Sequence, residues 1–203
     1  MTKNYFTYSF SGDIDWCVVP EEKLGFSNWD SEIDYNTYFQ MCYKKNEGIY
    51  VKMRTDETDI RAVYHEDDDP VWQDSCLEFF ICAVEGRDEY INFEMNSNSA
   101  YLTEFGAEKK SRVFLKTITD IKAEVTANVS ENGWNVELFV PCQLIREAYG
   151  TDFDAGKCKI RFNFYKCGDN CNKKHYHSYT QMTTLPPGFH NPVCFAFAHI
   201  NER

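Results

Sequence analysis

The sequence predicts an all-β protein: a two-sheet antiparallel β-sandwich with one short helix. Apolar and polar residues alternate in short runs along most of the 203 residues, which is the period of strands with one face in a core. Aromatic residues make up 16% of the chain, and their rings pack well on a pleated sheet. Because no repeat and no linker rich in Pro, Gly or Ser interrupts the pattern, we expect residues 1–203 to form a single domain.

The predicted elements follow from this alternation and from local turn signals. The strand-like runs are residues 5–10, 49–54, 76–84, 90–96, 124–129, 134–140, 159–166 and 194–200. Asn132-Gly133 predicts a tight hairpin between the fifth and sixth runs, because both positions of a type I′ turn need positive φ. One helix is predicted over residues 142–149, where Pro141 suits the first turn and Gly150 ends it. Short strands separated by turns, with one short helix, are typical of a sandwich.

Composition excludes several classes of partner. The chain carries 21 basic and 32 acidic residues, a formal charge of −11, so we expect no binding to nucleic acid or to a membrane surface. It has no apolar run of ~18 residues that would form a membrane-spanning helix. The first residues lack the apolar segment of a signal peptide, and nine scattered cysteines fit no disulfide framework. We therefore expect a cytoplasmic monomer with reduced thiols.

The most informative segment is a predicted hairpin around residues 85–88. Pairing of its two strands would place Val84 near Tyr90 and Glu78 near Asn96. The apolar face would consist of Leu77, Phe79, Ile81, Ile91, Phe93 and Met95, and the polar face of Glu78, Phe80, Asn92, Glu94 and Asn96.

Trp72 lies just before this hairpin, at the rim of the polar face. Carboxylates and amides accept and donate hydrogen bonds to adjacent hydroxyls, and an aromatic ring packs on the C–H face of a pyranose, so this combination suits sugar recognition. A solvated sheet face beside a half-buried core tryptophan explains the same spacing, and the pattern alone leaves both interpretations open.

Three separated segments resemble carbohydrate-binding module family 9-like domains. They are residues 69–81 (DPVWQDSCLEFFI), residues 90–96 (YINFEMN) followed by Phe105-Gly106, and residues 161–168 followed by 175–179 and 189–190. The likeness extends roughly from residue 30 to residue 200. It implies a β-sandwich that binds a mono- or oligosaccharide without catalysis, between two aromatic rings, with structural calcium commonly present.

The resemblance also implies roles for individual residues. Trp72 corresponds to the first ring and Glu78 to the acidic hydrogen-bonding residue. Tyr179 stands where the family usually has a second tryptophan, so the stacking plane is smaller. Further polar ligand contacts are expected at Asn96, Arg161, Asn163, Lys166 and His175.

Two segments offer candidate metal ligands. Asp67, Asp68 and Asp69 supply oxygen ligands of the kind calcium prefers, and the resemblance raises that expectation, although a solvated acidic turn is the simpler account. Cys167, Cys171, His175 and His177 are soft ligands within eleven positions, but zinc sites usually place a longer spacer between ligand pairs. We expect a loop with reduced thiols there.

The main alternative function is a carbohydrate-active enzyme. Glu78 and Glu94 could act as the acid and base of a glycoside hydrolase. The sequence has no nucleophile elbow, phosphate loop or H-E-x-x-H motif, so we expect no enzymatic activity and no required cofactor. An interaction domain without a small ligand is a third possibility.

Overall fold

This computed structural model describes residues 3–183 and 187–203. These residues contain fourteen strands and one α-helix. The first seven strands are β1 Asn4–Phe10, β2 Glu22–Lys23, β3 Phe26–Ser27, β4 Thr37–Lys44, β5 Gly48–Thr55, β6 Cys76–Cys82 and β7 Tyr90–Asn96. The others are β8 Tyr101–Gly106, β9 Val113–Phe114, β10 Glu124–Ser130, β11 Gly133–Pro141, β12 Ile160–Cys167, β13 Tyr176–Ser178 and β14 Ala196–Glu202. Helix α1 is Cys142–Tyr149, and short 3-10 turns occur at Val71–Gln73, Lys109–Ser111, Leu115–Thr117 and Pro192–Cys194.

The strands join in one continuous hydrogen-bonded order. Eleven of them follow the path β10-β11-β5-β4-β1-β14-β12-β6-β7-β8-β9, with β2 paired to β4 and with β13 linking β12 to β3. All these pairs are antiparallel except the two that β1 makes, with β14 and with β4. The predicted antiparallel sandwich is therefore a mixed sheet at β1, because alternation reveals which face of a strand is buried but not the direction of its neighbour.

The sheet curls so that its two halves pack face to face. Two strands separate β4 from β12 along the path, which would put them ~14 Å apart in a flat sheet. Phe39 of β4 nevertheless stacks on Phe164 of β12, with ring centroids 4.0 Å apart. Phe164 in turn stacks on Phe79 of β6 at 4.8 Å. The core between the halves is an aromatic layer, and the sandwich with one short helix is confirmed.

The helix signal and the hairpin are confirmed, whereas the predicted type I′ turn is wrong, because the φ of Asn132 is not positive. Helix α1 begins after Pro141 and ends at Gly150, whose φ of 62° is left-handed. The hairpin pairs Val129 with Trp134 as expected, but its turn consists of residues 131–132, because Gly133 already pairs with Ser130. Gly133 has a φ of 129°, and a side chain there would collide with the Thr55 carbonyl oxygen, so the backbone conformation and the close approach to β5 both require glycine.

The central hairpin, β6 and β7, is buried on both faces. Its apolar face lies in the core as predicted, whereas the register pairs Glu78 with Glu94 and Cys76 with Asn96, two residues from the expected pairing. A two-residue shift leaves each side chain on its predicted face. The polar face is not solvated, since Glu78 is only 2% exposed and Glu94 only 4%. Residues 189–195 contribute the rings that cover it.

Helix α1 has eight residues, and the described part of the chain has no helix long and apolar enough to span a membrane.

Candidate functional site

A cleft lies above the polar face of β6 and β7. Its volume is about 270 Å³, close to the lower end of the ~300–1,000 Å³ typical of small-molecule sites. The cleft is lined by Trp29, Asp30, Trp72, Glu78, Glu94, Lys109, Asp169, Tyr176, Pro187, Gly188, Phe189 and His190. These residues come from six separate stretches of the chain, so the fold assembles the cleft.

Two partly exposed tryptophans form its aromatic surface. Trp72 lies in the 3-10 turn before β6 and is 39% exposed, and its carbonyl oxygen accepts a hydrogen bond from the Cys167 thiol at 3.3 Å. Trp29 is 37% exposed and contacts Tyr176 and Phe189, with ring centroids 5.2 and 5.0 Å apart. The Trp29 indole is thus held by two neighbouring rings, and both indoles expose part of their surface in the cleft.

Glu78 and Glu94 lie side by side at the bottom of the cleft, on adjacent strands. The Glu78 carboxylate accepts a hydrogen bond from the Cys167 thiol at 2.9 Å, and Glu94 accepts one from the Asn92 amide at 2.8 Å. Burial, together with the charge of Glu94, raises the pKa of Glu78 well above its usual range. Burial raises the pKa of Glu94 to about 7. At least one of the two is therefore protonated near neutral pH and can donate as well as accept a hydrogen bond.

His190 extends the polar surface beside Glu94. Its Nε2 atom lies 3.9 Å from a Glu94 oxygen, and its Nδ1 atom is 2.8 Å from the Tyr90 hydroxyl. Burial, then the charges of Arg112 and Lys109, lowers the pKa of His190 to about 3. The ring is therefore neutral at physiological pH and offers hydrogen bonds without adding charge.

The charge of the cleft favours a neutral ligand. Four carboxyl groups line it, from Asp30, Glu78, Glu94 and Asp169, against the single ammonium group of Lys109. With at least one of Glu78 and Glu94 protonated, at most three of these carboxyl groups are charged, which leaves the lining without excess positive charge for an anion, and its hydrogen-bonding groups suit hydroxyls.

Only two of the predicted contact residues, Trp72 and Glu78, line this cleft. Tyr179 was expected to supply the second aromatic ring of the sugar site, but it does not line the cleft. It is fully buried in the core, where it contacts Phe39 with ring centroids 4.7 Å apart. Trp29 lies in the cleft instead. The sequence around Trp29 contains no pattern that identifies it as a site residue, because Trp29 belongs to no alternating run and lies more than 40 residues before Trp72.

The predicted polar contacts hold the structure around the cleft and do not line it. Asn96 donates to the Tyr64 carbonyl oxygen and to Asp74, at 2.8 and 3.0 Å. Asn163 donates to the hydroxyls of Tyr165 and Thr180, at 2.9 and 2.8 Å. These amides are fully buried, so their hydrogen bonds are already satisfied within the fold.

Arg161, Lys166 and His175 also have partners in the protein. Arg161 donates to the Arg87 carbonyl oxygen at 2.9 Å. The Lys166 ammonium lies 2.7 Å from a Glu57 oxygen and 2.8 Å from His175 Nε2, in a fully buried cluster. A buried lysine and a buried carboxylate must pair, and neither Lys166 nor His175 lines the cleft.

The aspartate loop fits calcium poorly. Asp67 pairs with the Lys122 ammonium at 3.0 Å, and Asp68 with that of Lys116 at 2.8 Å. Asp69 accepts a hydrogen bond from the Glu66 backbone N–H at 3.1 Å. A calcium ion would have to displace two ammonium groups, so calcium stays a prediction that the observed pairing disfavours.

Comparison with known proteins identifies the family. The model of carbohydrate-binding family 9 matches residues 14–200, whereas no curated protein matches the chain at a significant level. Three solved structures share the fold. A candidate carbohydrate-binding protein of Bacteroides uniformis ATCC 8492 is 21% identical, with a TM-score of 0.83, over 99% of this chain and 100% of that one.

The other two are structures of a family 9 carbohydrate-binding module of Caldicellulosiruptor kristjanssonii, with glucose and with cellotriose. They are 14% and 13% identical to this chain, each with a TM-score of 0.68 and 99% coverage of it, and 97% and 95% of their own lengths are covered. At these identities the likeness shows the fold, whereas the family match extends over most of the sequence. The chain therefore belongs to carbohydrate-binding family 9.

Proposed function

We propose that the cleft binds a saccharide unit without catalysis, between the exposed indoles of Trp29 and Trp72. The observation that supports this most directly is the presence of both rings, each more than a third exposed, in one cleft with two buried carboxyl groups. In this proposal Trp29 takes the place that the resemblance assigned to Tyr179. Larger indole planes at both positions give more stacking area than tyrosine.

Hydrogen bonds at the bottom of the cleft would orient the sugar. Glu78 and Glu94 would bind adjacent hydroxyls, and the neutral His190 ring would add a further donor or acceptor. The surplus of carboxyl groups over ammonium groups in the lining supports a neutral sugar and opposes an acidic one. Glucose and cellotriose are the first ligands to test, since the structures of the Caldicellulosiruptor kristjanssonii module are complexes with these sugars.

Isothermal titration calorimetry with glucose, cellobiose and cellotriose tests the proposal. Each ring contributes ~0.5–1.5 kcal/mol beyond the area that it buries, so we expect Trp29→Ala and Trp72→Ala each to raise Kd about 2- to 13-fold from this contribution, and further through the loss of buried apolar area. Trp16→Ala is the matched control, because Trp16 lies outside the cleft and contacts the Lys52 ammonium. Unchanged affinity in both cleft variants would refute the proposal.

Two further measurements separate the alternatives. Tyr179→Phe should leave the affinity unchanged, since a loss of binding there would restore Tyr179 as the second ring. Incubation with chromogenic β-glycosides should show no turnover, and turnover that disappears in Glu94→Gln would instead establish a hydrolase using Glu78 and Glu94. Cytoplasmic location and a monomeric state stay predictions.

A further inference from the structure

Two thiols and a carboxyl group meet beneath the sugar cleft. Cys76, at the start of β6, pairs directly with Cys167, at the end of β12. Glu78 is two residues after Cys76 and therefore on the same face of β6. The two sulfur atoms and a Glu78 oxygen all lie within 4.8 Å of one another, and all three residues are buried.

This spacing is close to that of a tetrahedral zinc site. With Zn–S bonds of ~2.3 Å and Zn–O bonds of ~2.0 Å, neighbouring ligand atoms are separated by about 3.5–3.8 Å. The distance from Cys167 Sγ to Glu78 Oε1 is 2.9 Å, so a metal ion needs only a small separation of these two groups. Both strands hold the ligands on rigid backbone, as a preformed site requires.

A second cluster of potential metal ligands differs from the Cys76, Cys167 and Glu78 cluster because a lysine side chain already occupies it. Glu57, Cys171 and His175 also lie within 4.8 Å of one another. The Lys166 ammonium already lies between two of them, at 2.7 Å from Glu57 and 2.8 Å from His175. A divalent cation there would have to expel a buried positive charge. Among the described residues, no lysine or arginine side chain forms a hydrogen bond or an ion pair with the ligand atoms of Cys76, Glu78 or Cys167.

We propose that Cys76, Cys167 and Glu78 bind a thiophilic divalent cation such as Zn²⁺. Two thiolates balance the charge of the ion, which removes the main cost of burying it. Binding releases the protons of the two thiols, and that of the Glu78 carboxyl group where it is protonated, to solvent and transfers no electrons. The cleft above supplies the fourth ligand, a water molecule or the Asp169 carboxylate, which lines the same cleft. This proposal does not depend on sugar binding.

The test is a titration of the reduced, metal-free full chain with Zn²⁺, and with Co²⁺ as a spectroscopic probe. We expect one ion per chain and a Co²⁺-thiolate charge-transfer band of the intensity that two thiolates give. Cys76→Ser and Cys167→Ser should each abolish the band, and Glu78→Gln should weaken affinity at least tenfold. Cys171→Ser, from the second cluster, is the matched control and should keep the stoichiometry and the band.

Several outcomes would overturn the proposal. They are no bound ion in the reduced wild-type chain, loss of binding in Cys171→Ser, and binding that survives replacement of both Cys76 and Cys167. If circular dichroism shows that a serine variant fails to fold, the intensity of the Co²⁺-thiolate band of the wild-type chain distinguishes the two clusters. The second cluster offers a single thiolate, so one-thiolate intensity refutes the assignment and two-thiolate intensity supports it. A Cys76–Cys167 disulfide in air, with no metal bound by the reduced chain, also refutes it.

Discussion

Replacing Glu94 with glutamine should make the protein more stable at neutral and alkaline pH, although the residue lines the proposed binding site. Glu94 is buried, and burial raises its pKa from 4.5 to about 7. In the folded state the carboxyl group therefore keeps its proton up to about pH 7, whereas in the unfolded chain it loses the proton near pH 4.5. The folded state binds more protons between these values, so this group makes the free energy of unfolding fall as pH rises.

The size of the effect follows from the difference between the two pKa values. Each pH unit corresponds to ~1.36 kcal/mol, so a difference of about 2.5 corresponds to about 3 kcal/mol. Glutamine has no titrating proton and keeps an oxygen that accepts from the Asn92 amide. We therefore expect the variant to gain up to about 3 kcal/mol relative to wild type between pH 4.5 and pH 7.5.

Urea denaturation of both proteins across this pH range measures the difference directly. The pKa values of His175 and His190 are lowered to about 4 and about 3, so these groups lower stability as pH falls, and their contribution is common to both proteins. The charge of Glu94 also raises the pKa of Glu78, so its removal in the variant adds to the gain in stability at high pH. Glu147→Gln is the control, because hydrogen bonds from Thr119 and Gln143 lower the pKa of the exposed Glu147, so its stability difference from wild type changes below pH 4.5 and stays nearly constant across this range. A stability difference between wild type and Glu94→Gln that stays constant with pH would refute the reasoning.

Three further predictions concern residues outside the cleft. Tyr179→Phe should change the unfolding free energy by less than about 1 kcal/mol, because its buried hydroxyl has no hydrogen-bond partner among the described residues, whereas Tyr179→Ala should cost about 3–5 kcal/mol in urea denaturation. Similar small losses for both variants would contradict the core placement. Lys166→Met should lower the unfolding free energy by about 3–5 kcal/mol, because it leaves Glu57 buried and without its ion-pair partner. Adding Glu57→Gln to Lys166→Met should restore part of this loss, and no restoration would argue against the ion pair. Saturating Ca²⁺ should raise Tm no more than Mg²⁺ does, since two ammonium groups already pair with Asp67 and Asp68; a rise specific to Ca²⁺ that Asp67→Asn abolishes would establish the calcium site.

Local patterns in the sequence determined much of the fold. The alternation of period two placed Leu77 and Phe93 in the core and Glu78 and Glu94 on the opposite face, because neighbouring side chains of a strand point to opposite sides. Pro141 and Gly150 bounded helix α1 through their own backbone preferences. The two-residue difference in hairpin register left these faces unchanged.

The composition of the cleft was decided only by the tertiary structure. Trp29 and Tyr179 are both aromatic residues near polar neighbours, and only long-range contacts distinguish them: Trp29 packs on Tyr176 and Phe189, whereas Tyr179 packs on Phe39 in the core. Polar residues such as Asn163 and Lys166 found partners inside the protein, because a buried polar group must be paired. A sequence shows which side of a strand a residue occupies, but the partners that satisfy it and the loops that cover it come from distant parts of the chain, and these decide whether it meets a ligand.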